Sequence, residues 1–108
     1  MVKDKKIRLS ERVFNKLLDA FNTLSGYKGV EIYLFGSRTK ENVRGGDIDL
    51  LVVVPADWDS SKRFKFKIDL LREIYKRLGE RKVDVVMVSP DGKLYKEVIG
   101  ESVKLWSC

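Results

Sequence analysis

The stretch that decides the fold runs from residue 47 to residue 55 and reads DIDLLVVVP. Five successive apolar residues, at 50–54, are too few for a helix and lack the alternation of a strand with one face in water. They are typical of a strand that is covered on both faces. Pro55 ends this strand, because proline has no N–H to donate to a neighbouring strand. The stretch therefore predicts a buried β-strand at 48–54.

The other elements follow from hydrophobic spacing on either side of this strand. Apolar residues at helical spacing predict two main helices, one capped by Ser10 and the other by Asp59 or Ser60. In chain order we expect a helix at 10–24, strands at 30–35 and 48–54, a helix from 60 to 78, a strand at 82–88, a short helix at 93–99 and a strand at 103–106. This order predicts an α/β (α+β) fold, a two-layer mixed sheet of about four strands with two main helices, in a single domain over 1–108.

The second helix has an apolar stripe that is predicted to face the sheet. Its members are Phe64, Ile68, Leu71, Tyr75 and Leu78. Phe66 lies two residues from Phe64 and points elsewhere on a helix, so we expect it to be exposed. Trp58 and Trp106 are candidates for the same kind of exposed aromatic residue, the kind that anchors protein interfaces.

Composition excludes several classes of protein. A chain that is 44% hydrophobic and 35% charged is neither disordered nor collagen-like. It has no apolar run near the roughly 18 residues that a membrane span needs, and no secretory signal is visible at its start. Cys108 is the single cysteine and histidine is absent, which excludes an internal disulfide and a Cys/His zinc cluster. We therefore expect a cytoplasmic protein without a membrane partner.

Three aspartates are candidates for one site. Asp47 and Asp49 flank Ile48 at the start of the buried strand, and alternation places both carboxylates on one face of the sheet. Asp84 lies within an apolar strand, where a carboxylate is costly unless a cation or hydrogen-bond donors compensate it. If the two strands pair in suitable register, the three acids meet and Mg²⁺ is the expected cation. Alternatively, the first two acids form a turn or helix cap and the third is structural.

A glycine and a serine follow the strand at 30–35. Gly36 allows close approach of a phosphate, to which the Ser37 hydroxyl and nearby amides can donate. Positive charge nearby comes from Arg38, Lys40 and Arg44. A solvated turn explains these residues equally well when they are taken alone. A phosphate-binding turn followed closely by D-x-D is a much rarer combination, and it favours a functional site.

Together these motifs resemble a known signature. The residues LFGSR at 34–38, nine residues from Arg38 to Gly46, and then DIDL at 47–50 are similar to the G-S-x(n)-D-x-D motif of the DNA polymerase beta nucleotidyltransferase superfamily. The residues KVDVV at 82–86 resemble the strand that carries its third carboxylate, and IGESVKLW at 99–106 resembles its closing turn and strand. The chain looks like the minimal nucleotidyltransferases encoded beside HEPN-domain partners.

The resemblance implies transfer of a nucleoside monophosphate from an NTP to a hydroxyl. It implies that Asp47, Asp49 and Asp84 hold two Mg²⁺ ions, while Gly36 and Ser37 grip the phosphates with help from Arg38. The short chain leaves little surface for an acceptor, so we expect the acceptor to come from another chain. The resemblance points to a HEPN ribonuclease toxin, with AMP transferred from ATP to one of its tyrosines and this chain acting as the antitoxin.

Two other functions stay open at this point. The chain could neutralise a HEPN partner by direct contact with little or no catalysis. Its net charge of +6 is also compatible with a basic RNA-binding domain in which the carboxylates are structural. We expect nucleic acid not to be the direct substrate, because no aromatic-studded strand or basic arm for stacking bases is evident. A homo-oligomer is compatible with the sequence as well.

Overall fold

Each of the two longer helices begins at a side-chain cap. In the computed structural model, which describes residues 10–34, 48–79 and 83–108, Ser10 caps α1 (Glu11–Asn22) by accepting from the amide of Val13. Asp59 caps α2 (Ser60–Leu78) by accepting from the amide of Lys62 at 2.8 Å. These oxygens satisfy amides that have no partner within the helix, so both caps predicted from sequence are confirmed.

The remaining elements lie close to the predicted bounds. The strands are β1 (Glu31–Leu34), β2 (Ile48–Val53), β3 (Val83–Val88) and β4 (Val103–Ser107). A short helix, α3 (Lys93–Val98), continues into a 3₁₀ turn at Ile99–Glu101. None of the helices among the described residues combines the length and the apolar character needed to cross a bilayer.

The four strands form one mixed sheet in the order β3-β2-β1-β4. β1 is antiparallel to both β2 and β4, and β2 runs parallel to β3. β1 and β2 therefore lie in the centre, as expected for β2, which was predicted to be covered on both faces. The predicted α/β fold with a four-stranded mixed sheet and two main helices is confirmed.

The two faces of the sheet carry different layers. The β2 residues Ile48, Leu50 and Val52 belong to the main core, which α1 and α2 cover. Leu51 and Val53 point to the other face, where they pack with Val88 and with partly buried residues that include Tyr33, Tyr95 and Ile99. The second cluster is much smaller, so most of the packing energy lies on the helical side.

The predicted orientation of α2 is wrong. Phe66, Leu70 and Ile74 are fully buried against the sheet, whereas Phe64 is 66% exposed and Ile68 is 41% exposed. Tyr75 is 42% exposed, while Leu71 and Leu78 pack at the edge of the core. The helix has two apolar stripes with the same period, and periodicity alone does not show which of them meets the sheet.

Aromatic packing explains why Phe66, and not Phe64, lies in the core. Its ring meets Tyr27 edge-on with centroids 4.9 Å apart, and it lies 5.7 Å from the ring of Trp58. Trp58 is consequently buried, contrary to the prediction that it is exposed. Trp106 is half-buried, 5.9 Å from Phe21, and its indole N–H donates to Asn22. Phe66, Trp58 and Trp106 were expected to be exposed, but they pack between the helices and the sheet.

Candidate active site

Two of the predicted site residues are direct neighbours on adjacent strands. Asp49 of β2 and Asp84 of β3 are register partners in the parallel pair. Register partners of parallel strands project from the same face, and their backbones are separated by about 4.8 Å. Asp49 is half-buried and Asp84 is exposed. The sheet therefore places two carboxylates side by side, as the sequence predicted on condition of a suitable register.

Alternation shows which face carries this pair. Leu51 and Val53 follow Asp49 at two-residue intervals and pack on the face opposite α1 and α2. Val86 and Val88 follow Asp84 in the same way and contribute to the same cluster. The carboxylates therefore lie on the sheet face opposite the two main helices.

The segment that carries the other predicted residues begins and ends at the same edge of the sheet. β1 ends at Leu34, whose register partner is Leu50, and β2 begins at Ile48. Asp49 follows Ile48 and precedes Leu50, the register partner of Leu34. It therefore lies close to the points where β1 ends and β2 begins. Six of the predicted residues lie in this segment, outside the described residues: Gly36, Ser37, Arg38, Lys40, Arg44 and Asp47.

Tyr33, which is not among the predicted site residues, lies on the same face. Tyr33 is the register partner of Leu51, two residues from Asp49, and its hydroxyl donates to Glu31 at 2.9 Å. Burial and this hydrogen bond raise the pKa of Tyr33 to about 12, so its phenol stays protonated at neutral pH. Its alternation with the buried residues Ile32 and Leu34 is the sequence signal that could have placed it on this face.

The donor set fits a magnesium ion. Carboxylate oxygens are the ligands that hard divalent cations prefer, and two carboxylates held side by side repel each other unless a cation compensates them. Within 10–34, 48–79 and 83–108 no group of three or more potential metal-ligating residues occurs. Of the three predicted ligands, Asp49 and Asp84 lie within the described residues, and Asp47 immediately precedes the start of β2.

A mixed sheet backed by two helices, with aspartates at the start of two parallel strands, defines a candidate nucleotidyltransferase. The sequence model of the family described as "Polymerase beta, Nucleotidyltransferase" matches residues 19–108. The chain belongs to this family, and the membership predicted from its motifs is confirmed. No curated protein matches the chain in sequence.

Two solved structures share the fold. One is the crystal structure of the toxin–antitoxin MntA–HepT, with 22% identity, a TM-score of 0.55, and coverage of 92% of this chain and 74% of that chain. The other is a tri-AMPylated Shewanella oneidensis HEPN toxin in complex with MNT antitoxin, with 23% identity, a TM-score of 0.54, and coverage of 89% and 71%. At this level of identity they establish the fold, which agrees with the predicted minimal nucleotidyltransferase.

Proposed function

We propose that the chain is an antitoxin that transfers AMP from ATP to a tyrosine hydroxyl of a HEPN-domain partner. The observation that carries this proposal is the register pairing of Asp49 with Asp84, on the sheet face opposite α1 and α2, in a member of the nucleotidyltransferase family. The similar structure that contains an AMPylated HEPN toxin supports AMP as the transferred group and a HEPN protein as the acceptor. Because the reaction consumes ATP, we place it in the cytoplasm.

Each predicted site residue has a physical role in this reaction. Asp47, Asp49 and Asp84 would hold two Mg²⁺ ions, which when bound supply charge stabilisation for the triphosphate. Gly36 and Ser37 would bind the β- and γ-phosphates, with Arg38 assisting through bidentate contacts. Lys40 and Arg44 would add positive charge nearby.

The chemical step is an in-line displacement at the α-phosphorus. The tyrosine oxygen forms a bond to this phosphorus while the bond to the bridging oxygen of the β-phosphate breaks, which releases pyrophosphate. Asp84 accepts the proton of the tyrosine hydroxyl, as its exposed position in the second residue of β3 allows. Positioning and electrostatic stabilisation then account for the rate, without a covalent enzyme intermediate.

Label transfer tests the proposal. The chain is incubated with Mg²⁺, ATP labelled at the α-phosphate, and a HEPN-domain protein as the candidate acceptor. We expect label on the partner, and a loss of at least about 100-fold with Asp49→Asn or Asp84→Asn, the scale of removing a group that stabilises transition-state charge. Asp57→Asn, at an exposed turn position after β2, is the matched control and should transfer normally. Neutralisation of the partner without label would favour the binding-module alternative.

RNA binding by the basic surface is the remaining alternative. It predicts an RNA affinity that falls steeply with salt and does not respond to Mg²⁺ or ATP. A thermal stabilisation by ATP that requires Mg²⁺ and is lost in Asp49→Asn would favour the transferase instead.

A further inference from the structure

The outer face of α2 carries an apolar stripe in which Phe64, Ile68 and Tyr75 are exposed, while Leu71 reaches the edge of the core. Its members, Phe64, Ile68, Leu71 and Tyr75, are spaced by four, three and four residues along one side of the helix. Phe64 is the most exposed large apolar side chain among the described residues, and Ile68 and Tyr75 are each more than two-fifths exposed. The helical rise makes the stripe about 16 Å long. Two aromatic rings and an isoleucine at this spacing are typical of a helix that docks against another protein.

The charge around this α2 stripe indicates the chemistry of its partner. α2 has seven Lys and Arg against two Asp and Glu, so it carries most of the chain's net charge of +6. Its two acids, Asp69 and Glu73, are both engaged in ion pairs with α2 cations. The apolar stripe is therefore bordered by Lys67 on one side and by Arg72, which pairs with Asp69, on the other.

This charge disfavours a second copy of the chain as the occupant of the stripe. Two α2 helices placed face to face would bring two strongly basic surfaces together, and like charges across an interface oppose association. A face with apolar residues at its centre and Asp or Glu at its rim would complement both features of the stripe. Such a rim also steers association, because opposite charges speed the encounter.

We propose that the α2 stripe is the stable docking surface for a partner protein with an apolar, acid-rimmed face. The proposal rests on the proposed function in one respect, namely that the partner used to test it is the HEPN protein. The stripe lies on the side of the molecule opposite Asp49 and Asp84, since α2 buries Phe66, Leu70 and Ile74 against the other sheet face. A partner molecule docked on the stripe is therefore not the molecule whose tyrosine enters the site of the same chain.

Binding of the purified HEPN partner, measured by titration calorimetry, tests this docking surface. The double variant Phe64→Ser plus Ile68→Ser leaves the charge unchanged, and we expect it to weaken binding by about 30-fold, as for hot-spot residues. Leu94→Ser, an exposed leucine on α3, is the matched apolar control and should bind as the wild type does. Lys67→Gln plus Arg72→Gln should weaken binding less than the Phe64/Ile68 variant does, and it should reduce the dependence of binding on salt. Lys96→Gln on α3 should change neither the affinity nor its dependence on salt.

The outcomes separate this proposal from the proposed function. If the Phe64/Ile68 variant binds as tightly as the wild type, or if the wild type does not bind the partner, the docking proposal is wrong. The docking proposal is also wrong if the Phe64/Ile68 variant binds the partner normally but no longer dimerises. It is likewise wrong if the variant binds the partner normally but no longer binds phosphatidylserine vesicles. If Asp49→Asn plus Asp84→Asn binds the partner normally and no chain transfers AMP, the docking surface stands and the transferase proposal fails.

Discussion

At the scale of single residues, a substitution of Asp84 tests whether the Asp49–Asp84 pair contributes to activity or to the stability of the fold. Like charges on directly opposite strand positions destabilise a sheet by up to about 1 kcal/mol. Asp84 is exposed and faces Asp49 across β2 and β3, so Asp84→Asn removes one charge of the pair. Without Mg²⁺ we expect the variant to be at least as stable as the wild type in urea unfolding, although it loses activity. A loss of more than about 1 kcal/mol would indicate a structural carboxylate.

The Tyr27–Asp69 hydrogen bond predicts a dependence of stability on pH. The Tyr27 hydroxyl donates to Asp69 at 2.7 Å, and this bond, with Lys65 and Arg72 nearby, lowers the pKa of Asp69 below its ordinary value of 3.8. A lowered folded-state pKa means that the unfolded chain binds the proton more tightly. The stabilisation is therefore fully present above the ordinary value and is lost as the pH falls through the folded-state pKa.

Comparison with Asp69→Asn isolates this contribution. We expect the difference in free energy of unfolding between the wild type and the variant to be largest near neutral pH and to shrink as the pH falls below 3.8. Glu73 also has a lowered pKa, owing to Arg77, but it is present in both proteins and cancels in the difference. A difference that is constant from pH 7 to pH 3 would contradict the assignment.

At the scale of elements, the orientation of α2 can be tested with two phenylalanines of the same helix. Phe66 is fully buried and Phe64 is 66% exposed. We expect Phe66→Ala to lower the free energy of unfolding by about 3–5 kcal/mol, because it empties a core position. Phe64→Ala should change it by less than about 0.5 kcal/mol. Denaturant unfolding of both variants measures this, and equal losses would show that both stripes are buried.

The turn before β1 depends on a glycine. Gly29 has φ of +85°, and a Cβ there would lie 2.9 Å from Cγ of Pro55. We expect Gly29→Ala to lower the free energy of unfolding by at least about 1–2 kcal/mol, the cost of the left-handed conformation alone. Gly26 has open space around its Cβ position and no positive φ, so Gly26→Ala is the control and should be neutral or slightly stabilising. Similar losses in the two variants would contradict this account of the turn.

Local signals in the sequence were sufficient for the elements and insufficient for the rotation of α2. Ser10, Asp59 and Gly79 act within one turn of their own helix ends, so caps and boundaries could be predicted from neighbouring residues. The choice between Phe66 and Phe64 depends on contacts with Tyr27 and Trp58, which both lie outside α2. Hydrophobic spacing contains no information about such contacts.

The candidate site was also predictable only in part, because local signals place single residues and tertiary contacts bring them together. Alternation along β2 places Asp49 on the face opposite Ile48 and Leu50. That Asp84 meets it depends on the parallel register between β2 and β3, which is a tertiary property that a single sequence does not contain. Tyr33 was missed because its neighbours in the second cluster come from separate strands and from α3.

At the scale of the whole molecule, the sheet separates two surfaces. One face carries the carboxylates and the small apolar cluster, while the other is covered by α1 and α2. The outer side of α2 is apolar and basic. The proposed chemistry and the proposed docking therefore use opposite sides of a chain of 108 residues.

The position of the metal–nucleotide complex tests the central claim most directly. Crystals of the chain are grown with Mn²⁺, which prefers the same oxygen ligands as Mg²⁺, and a non-hydrolysable ATP analogue, and anomalous scattering locates the manganese. We predict anomalous peaks at the carboxylates of Asp49 and Asp84, with the triphosphate extending toward Gly36 and Ser37. Manganese bound elsewhere, or a nucleotide on the helical face of the sheet, would contradict the account.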